Sequence, residues 1–173
     1  ELSDEETSYM YLLMREYYED VNETQFLKDL SEKTDVILLR DPSGAVRGFS
    51  TLLQKLMNGS YGRVLTIFSG DTVIAKEYWG QKELGVAFLK YLFMQKIRHP
   101  LTPVYWMLMS KGYKTYLLMA NNFGVHFPRY EFKTPSDIKQ LMDDFYVDKF
   151  GTSYTAATGL IEPNGPKGRL REG

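Results

Sequence analysis

The chain has 173 residues, 43% of them hydrophobic and 14% aromatic, enough to close a single core. Its 21 basic and 22 acidic residues nearly cancel, which removes the electrostatic footprint expected of a nucleic-acid partner. With no cysteine and only His99 and His126, disulfides, a cysteine nucleophile and thiolate or polyhistidine metal centres are excluded.

The cysteine-free composition is compatible with a reducing cytoplasm, which is the expected location. No apolar run reaches the roughly 20 residues of a membrane span, and no signal-peptide pattern opens the sequence.

Ser3-Asp4-Glu5-Glu6 reads as a capping box. Met10, Leu13, Met14 and Tyr17 follow at helical spacing and predict a first amphipathic helix. Asn22 and Gln25 repeat the capping pattern ahead of a shorter helix with Phe26, Leu27 and Leu30. The period then changes. Val36 to Leu39 is a short apolar strand ending in the turn Asp41-Pro42-Ser43-Gly44. Val46 to Gln54 predicts a second strand, Asn58-Gly59 a hairpin, and Arg63 to Phe68 a third strand. Ser69-Gly70-Asp71 interrupts before Thr72 to Ala75, either as a bulge or as a strand end.

After Trp79-Gly80-Gln81-Lys82-Glu83-Leu84-Gly85, a helix is predicted from about Leu84 to Arg98, stopped by His99-Pro100. Val104 to Met109 is dense and apolar, as a central strand is. Tyr113 to Met119 reads as helix, and Pro135-Ser136-Asp137 opens a last helix ending near Gly151. Three meander strands followed by a helical crossover to another strand specify a mixed α/β (α+β) fold with a mostly antiparallel sheet.

A helix opening behind a loop with Gly80 and Gly85 presents unpaired amides at the positive end of its dipole, with Lys82 at the mouth. Such a loop can cradle a phosphate. The plain alternative is an ordinary glycine-containing loop before an amphipathic helix. In the context of the whole element order, Lys82-Glu83-Leu84-Gly85-Val86-Ala87 resembles the Arg/Gln-x-x-Gly-x-Gly/Ala motif of the GNAT superfamily of acyl-coenzyme A-dependent N-acyltransferases, with Lys82 where Arg or Gln is usual. Another register gives Gln81 or Trp79 the first role.

The resemblance, over roughly Met10 to Phe123, implies a GNAT-like domain over residues 1–150 with a splayed central strand pair, and an extended tail or linker over 151–173. It implies that Trp79, Gly80, Gln81, Lys82, Gly85, Val86 and Ala87 hold the coenzyme A pyrophosphate. Val73, Ile74 and Ala75 would offer backbone to the pantetheine arm, with Met107 to Ser110 as the facing wall. Tyr116, with Tyr113 as its neighbour, would protonate the departing thiolate, and Glu77 would serve as base; the plainer reading of each is a packing or surface residue. His126 and His99 read as structural. Aromatic and Met residues from Tyr105 to Met119, with Phe88 and Phe93, either line an apolar acyl tunnel or simply form core.

The implied co-substrate is acyl-coenzyme A, acetyl or longer, or an acyl carrier protein, with an amine acceptor and no metal. A homodimer stays open, because no terminal hairpin is evident unless Phe123 to Phe132 holds one of its strands. Two other readings are a non-catalytic acyl-coenzyme A-binding module and an interaction protein with an open sheet edge.

Overall fold

The computed structural model describes residues 2–110 and 112–162. Its elements are α1 (Asp4–Tyr17), α2 (Glu23–Ser31), β1 (Asp35–Arg40), β2 (Val46–Gly59), β3 (Gly62–Ile74), α3 (Glu83–Arg98), β4 (Val104–Leu108), α4 (Tyr113–Asn122), α5 (Ser136–Phe150), β5 (Tyr154–Thr155) and β6 (Leu160–Ile161). The main sheet has the order β1-β2-β3-β4; the first three strands are antiparallel and β4 runs parallel to β3. A crossover through α3 is what a parallel neighbour requires.

Side-chain alternation along β2 and β3 sends two sets of residues to opposite faces. On one face, Phe49 and Val73 pack with Met10 and Leu13 of α1 and Phe26 of α2. Further along that face, Val64, Phe68 and Met107 pack against Leu141, Phe145 and Tyr146 of α5. The other face carries Leu52, Leu65 and Ile67, all buried, and receives α3, whose Leu84 and Gln95 are buried. A polar latch fixes that helix: Tyr91 donates to Asp35 Oδ2 at 2.7 Å and Gln54 Nε2 donates to the same oxygen at 2.9 Å.

The capping box at Ser3 and Glu6 forms with both hydrogen bonds in place. At α2, Asn22 Oδ1 accepts from the Gln25 amide, but the Gln25 side chain turns to Asp29 instead of reaching back. The hairpin turn lies later than Asn58-Gly59. Those residues pair with Arg63 and Gly62, so Ser60 and Tyr61 make the turn and Gly62, at φ +122°, supplies the positive φ. Ser69-Gly70-Asp71 is a bulge inside one continuous strand: Gly70 and Asp71 together oppose Thr51. A side chain at Gly70 would sit 2.6 Å from Thr51 Oγ1, so the bulge needs glycine there for space.

The expected strand within Phe123 to Phe132 is not formed; the segment is irregular. Within the segment expected as a tail, residues 151–162 are ordered against the domain. The short β5–β6 hairpin packs back on α5 because Tyr154 is buried and its hydroxyl donates to Asp143 Oδ1 at 2.6 Å. The rest of that predicted tail, from residue 163 on, lies outside the described residues.

Candidate functional site

The β3–β4 pairing runs from Leu65↔Val104 to Ser69↔Leu108 and stops there. β3 continues through the bulge to Ile74, whereas β4 ends at Leu108. The two strands therefore part, leaving a wedge with the Gly70–Ile74 edge of β3 on one side and Leu108 to Ser110 on the other. The Ala75 amide donates to the Arg47 carbonyl at 2.8 Å, toward β2. By strand alternation the backbone groups of Ile74 and Thr72 then face the wedge. Val73 and Ala75 are buried with their side chains toward α1.

The loop between β3 and α3 is held at both ends. Lys76 to Tyr78 form one 3-10 turn, and the Lys76 amide donates to Tyr17 Oη at 2.7 Å. Trp79 Nε1 donates to the Ile74 carbonyl at 2.7 Å, and its ring leans on Tyr17 at a centroid distance of 5.8 Å. Gly80 has φ +83°, a conformation that side-chain-bearing residues rarely adopt. Lys82 is the exposed N-cap of α3 and no side chain caps this end, unlike α1 and α2. The first helical bond runs from Val86 N–H to the Lys82 carbonyl, at 2.8 Å. The amides of Glu83, Leu84 and Gly85 precede it and have no intrahelical partner.

Gly85 decides how this end can be used. A Cβ added there would meet no protein atom within 4 Å, so packing does not demand glycine. What glycine preserves is open space directly over the helix end, the space an anion needs to reach backbone amides. Leu84 is buried and pins the turn to the sheet, while Val86 and Gln81 are exposed and Ala87 is half-buried. The wedge and the loop thus adjoin.

The remaining predicted residues are more dispersed. Glu77 is an exposed residue of the 3-10 turn. Tyr113 is exposed at the start of α4. The Tyr116 hydroxyl donates to the Pro128 carbonyl at 3.1 Å, and its ring meets the His126 ring edge-on at 6.0 Å. His126 Nδ1 lies 2.9 Å from the Phe123 carbonyl, and His99 is the C-cap of α3. In the aromatic set, Phe88 packs on Trp106 at 4.9 Å and Trp106 on Phe123 at 5.2 Å, while Phe93 faces solvent. A cavity of about 490 Å³ beside Lys133, Ser136 and Lys139 lies toward the start of α5, away from the wedge.

Sequence reasoning passed over one carboxylate. Asp71 is half-buried in the bulge, immediately past the last β3–β4 pair. Burial first, and the Asp71 carboxylate second, push the Tyr18 hydroxyl above its ordinary pKa of 10.0. The signal was the broken strand pattern at Ser69-Gly70-Asp71, since bulges often re-aim side chains beside active sites.

A Trypanosoma brucei acetyltransferase aligns with TM-score 0.51 and 16% identity over 77% of this chain and 96% of its own. An aminoglycoside antibiotic 6'-N-acetyltransferase from Acinetobacter haemolyticus aligns with TM-score 0.54 and 8% identity over 79% and 97%. The chain has the GNAT fold. A transcriptional regulator from Bacillus halodurans shares it too, with TM-score 0.51 and 11% identity over 78% and 96%. At these identities the likeness concerns the GNAT fold and not the reaction. No protein-family model and no curated protein matches the sequence.

Proposed function

We propose that this protein transfers an acyl group from a coenzyme A thioester, or from an acyl carrier protein, to an amine acceptor by direct attack. The observation that carries the reading is the wedge where β3 outruns β4, opening beside an uncapped α3 whose Gly85 keeps its approach clear. The amides of Glu83, Leu84 and Gly85, with Lys82, would hold the pyrophosphate, and the wedge edges of Thr72 and Ile74 would align the pantetheine arm. The amine nitrogen attacks the thioester carbon and loses a proton, the tetrahedral oxyanion is held by a backbone amide of the β3 edge, and the thiolate leaves with a proton. Positioning and that amide supply most of the rate.

Asp71 is the base we favour over Glu77, because it is the half-buried carboxylate of the bulge past the last β3–β4 pair, whereas Glu77 is exposed in the 3-10 turn. Tyr116 and Tyr113 remain the proposed acids for the leaving thiol. The test is release of free thiol from acetyl-coenzyme A across a panel of small amines, aminoglycosides and peptides, with Asp71→Asn and Glu77→Gln measured alongside. Acceptor-dependent release that Asp71→Asn lowers 10²- to 10⁴-fold is expected, the usual range for a general base. The Tyr116 hydroxyl's bond to the Pro128 carbonyl favours a second reading, a module that binds acyl-coenzyme A without turnover. Binding with no thiol release for any acceptor would select it.

A further inference from the structure

In α3 the polarity of the two faces departs from that of an ordinary surface helix. Leu84, Phe88, Tyr91 and Gln95 recur at four- and three-residue steps and form the side turned to the sheet. Half a turn away, Val86, Leu89, Phe93 and Ile97 form the solvent side, with exposures of 44%, 44%, 65% and 54%. Leu101, just past the helix, is 96% exposed. A helix that buries a glutamine and presents four large apolar side chains to water is unpartnered on its outer face. Among the described residues nothing packs over it.

The charges on the same side are mostly basic. Lys82 and Lys90 lie along the apolar stripe and Lys96 borders it, its ammonium bonded to the Pro100 and Thr102 carbonyls, while Glu83 is the only acid on the helix and Arg98 turns toward Asp35. This local excess stands out in a chain whose overall formal charge is -1. A second copy is a poor fit: stacking two α3 helices about a two-fold axis at mid-helix would set Lys90 against its twin. An anionic surface is a good one. Apolar side chains enter the headgroup boundary while lysines among them extend their stems and keep their ammonium groups at the phosphates.

We propose that the outer face of α3 docks this protein onto anionic phospholipid membrane surfaces, with Phe93, Ile97 and Leu101 inserting and Lys90 engaging headgroups. The proposal is independent of acyl transfer. It is tested by flotation of the full chain with vesicles of phosphatidylcholine alone and of phosphatidylcholine mixed with phosphatidylglycerol, at low and high salt. Binding to the mixed vesicles should exceed that to neutral ones roughly tenfold or more and fall with salt. The Phe93→Glu, Ile97→Glu double variant should lose at least tenfold in binding, and Lys90→Glu should lose the preference for anionic lipid. Leu12→Glu, an exposed change on α1, should alter neither, and circular dichroism verifies that each variant folds. No preference for anionic vesicles, or binding untouched by Phe93→Glu, Ile97→Glu, would overturn the proposal. So would a dimer in solution that the same double change dissolves, since a second copy would then cover the face.

Discussion

Trp79 Nε1 donates to the Ile74 carbonyl across 2.7 Å, closing the β3–α3 loop onto the last residue of β3. Because that indole is largely exposed, its value is positional: it ties the loop leading into α3 to the strand edge that faces the wedge. Trp79→Phe keeps most of the ring packing against Tyr17 and removes the donor. It should cost about 0.5–1.5 kcal/mol of stability by chemical denaturation. Acyl-coenzyme A affinity should weaken several-fold in the same variant, measured by calorimetric titration.

Gly70 is predicted to resist any side chain. Its Cβ would fall 2.6 Å from Thr51 Oγ1 and 3.2 Å from the Lys33 stem. Lys33 can move, but Thr51 is fully buried in β2 and cannot. Gly70→Ala should therefore destabilise by about 1–3 kcal/mol, as overpacking does. Gly85→Ala, with open space around it, should be neutral or slightly stabilising because alanine favours helix.

How far the sequence carried the structure can be judged at these same positions. The Ser3–Glu6 capping box, the stop at His99-Pro100 and the mixed sheet follow from local rules of spacing and capping. The bulge was legible only as an interruption, because whether two residues oppose one depends on the partner strand. The hairpin turn was misplaced at Asn58-Gly59 because those residues tolerate positive φ, whereas the pairing of Gly59 with Gly62 carried both strands past them. The motif from Lys82 to Ala87 fell at the predicted helix start. Asp71 escaped notice since its position past the end of the β3–β4 pairing is a fact of register, invisible to periodicity.

The β5–β6 return should matter at acid pH. Burial raises the Asp143 pKa, but hydrogen bonds from Lys139 and Tyr154 outweigh it and hold the carboxyl below its ordinary 3.8. A depressed carboxylate contributes stability that is complete above its unfolded pKa and is lost as pH falls through the folded one. Unfolding followed by near-ultraviolet dichroism should thus show a loss of stability below about pH 4 that Asp143→Asn flattens. An identical acid limb in the variant would remove Asp143 from the account.

Phe145 is 1% exposed and packs its ring at 5.8 Å on Phe68, joining α5 to the sheet. Phe145→Leu should cost about 1–3 kcal/mol, and Phe145→Ala about 3–5 kcal/mol, by urea denaturation.

The central claim is that an acyl-coenzyme A lies from the α3 loop into the β3–β4 wedge. Thermal unfolding with acetyl-, octanoyl- and palmitoyl-coenzyme A tests it most directly, beside a Lys82→Ala, Gly85→Val double variant. A Cβ at position 85 meets nothing within 4 Å and the position is exposed, so the valine projects into the proposed phosphate approach and not into the core. A ligand at 100 times its Kd should stabilise by about 2.7 kcal/mol, raising Tm by roughly 5–10 °C for a domain of this size. The account predicts that rise for at least one thioester and its loss in the double variant. A rise that persists unchanged in the variant would place the ligand elsewhere, and no rise with any thioester would contradict a coenzyme A site at this loop.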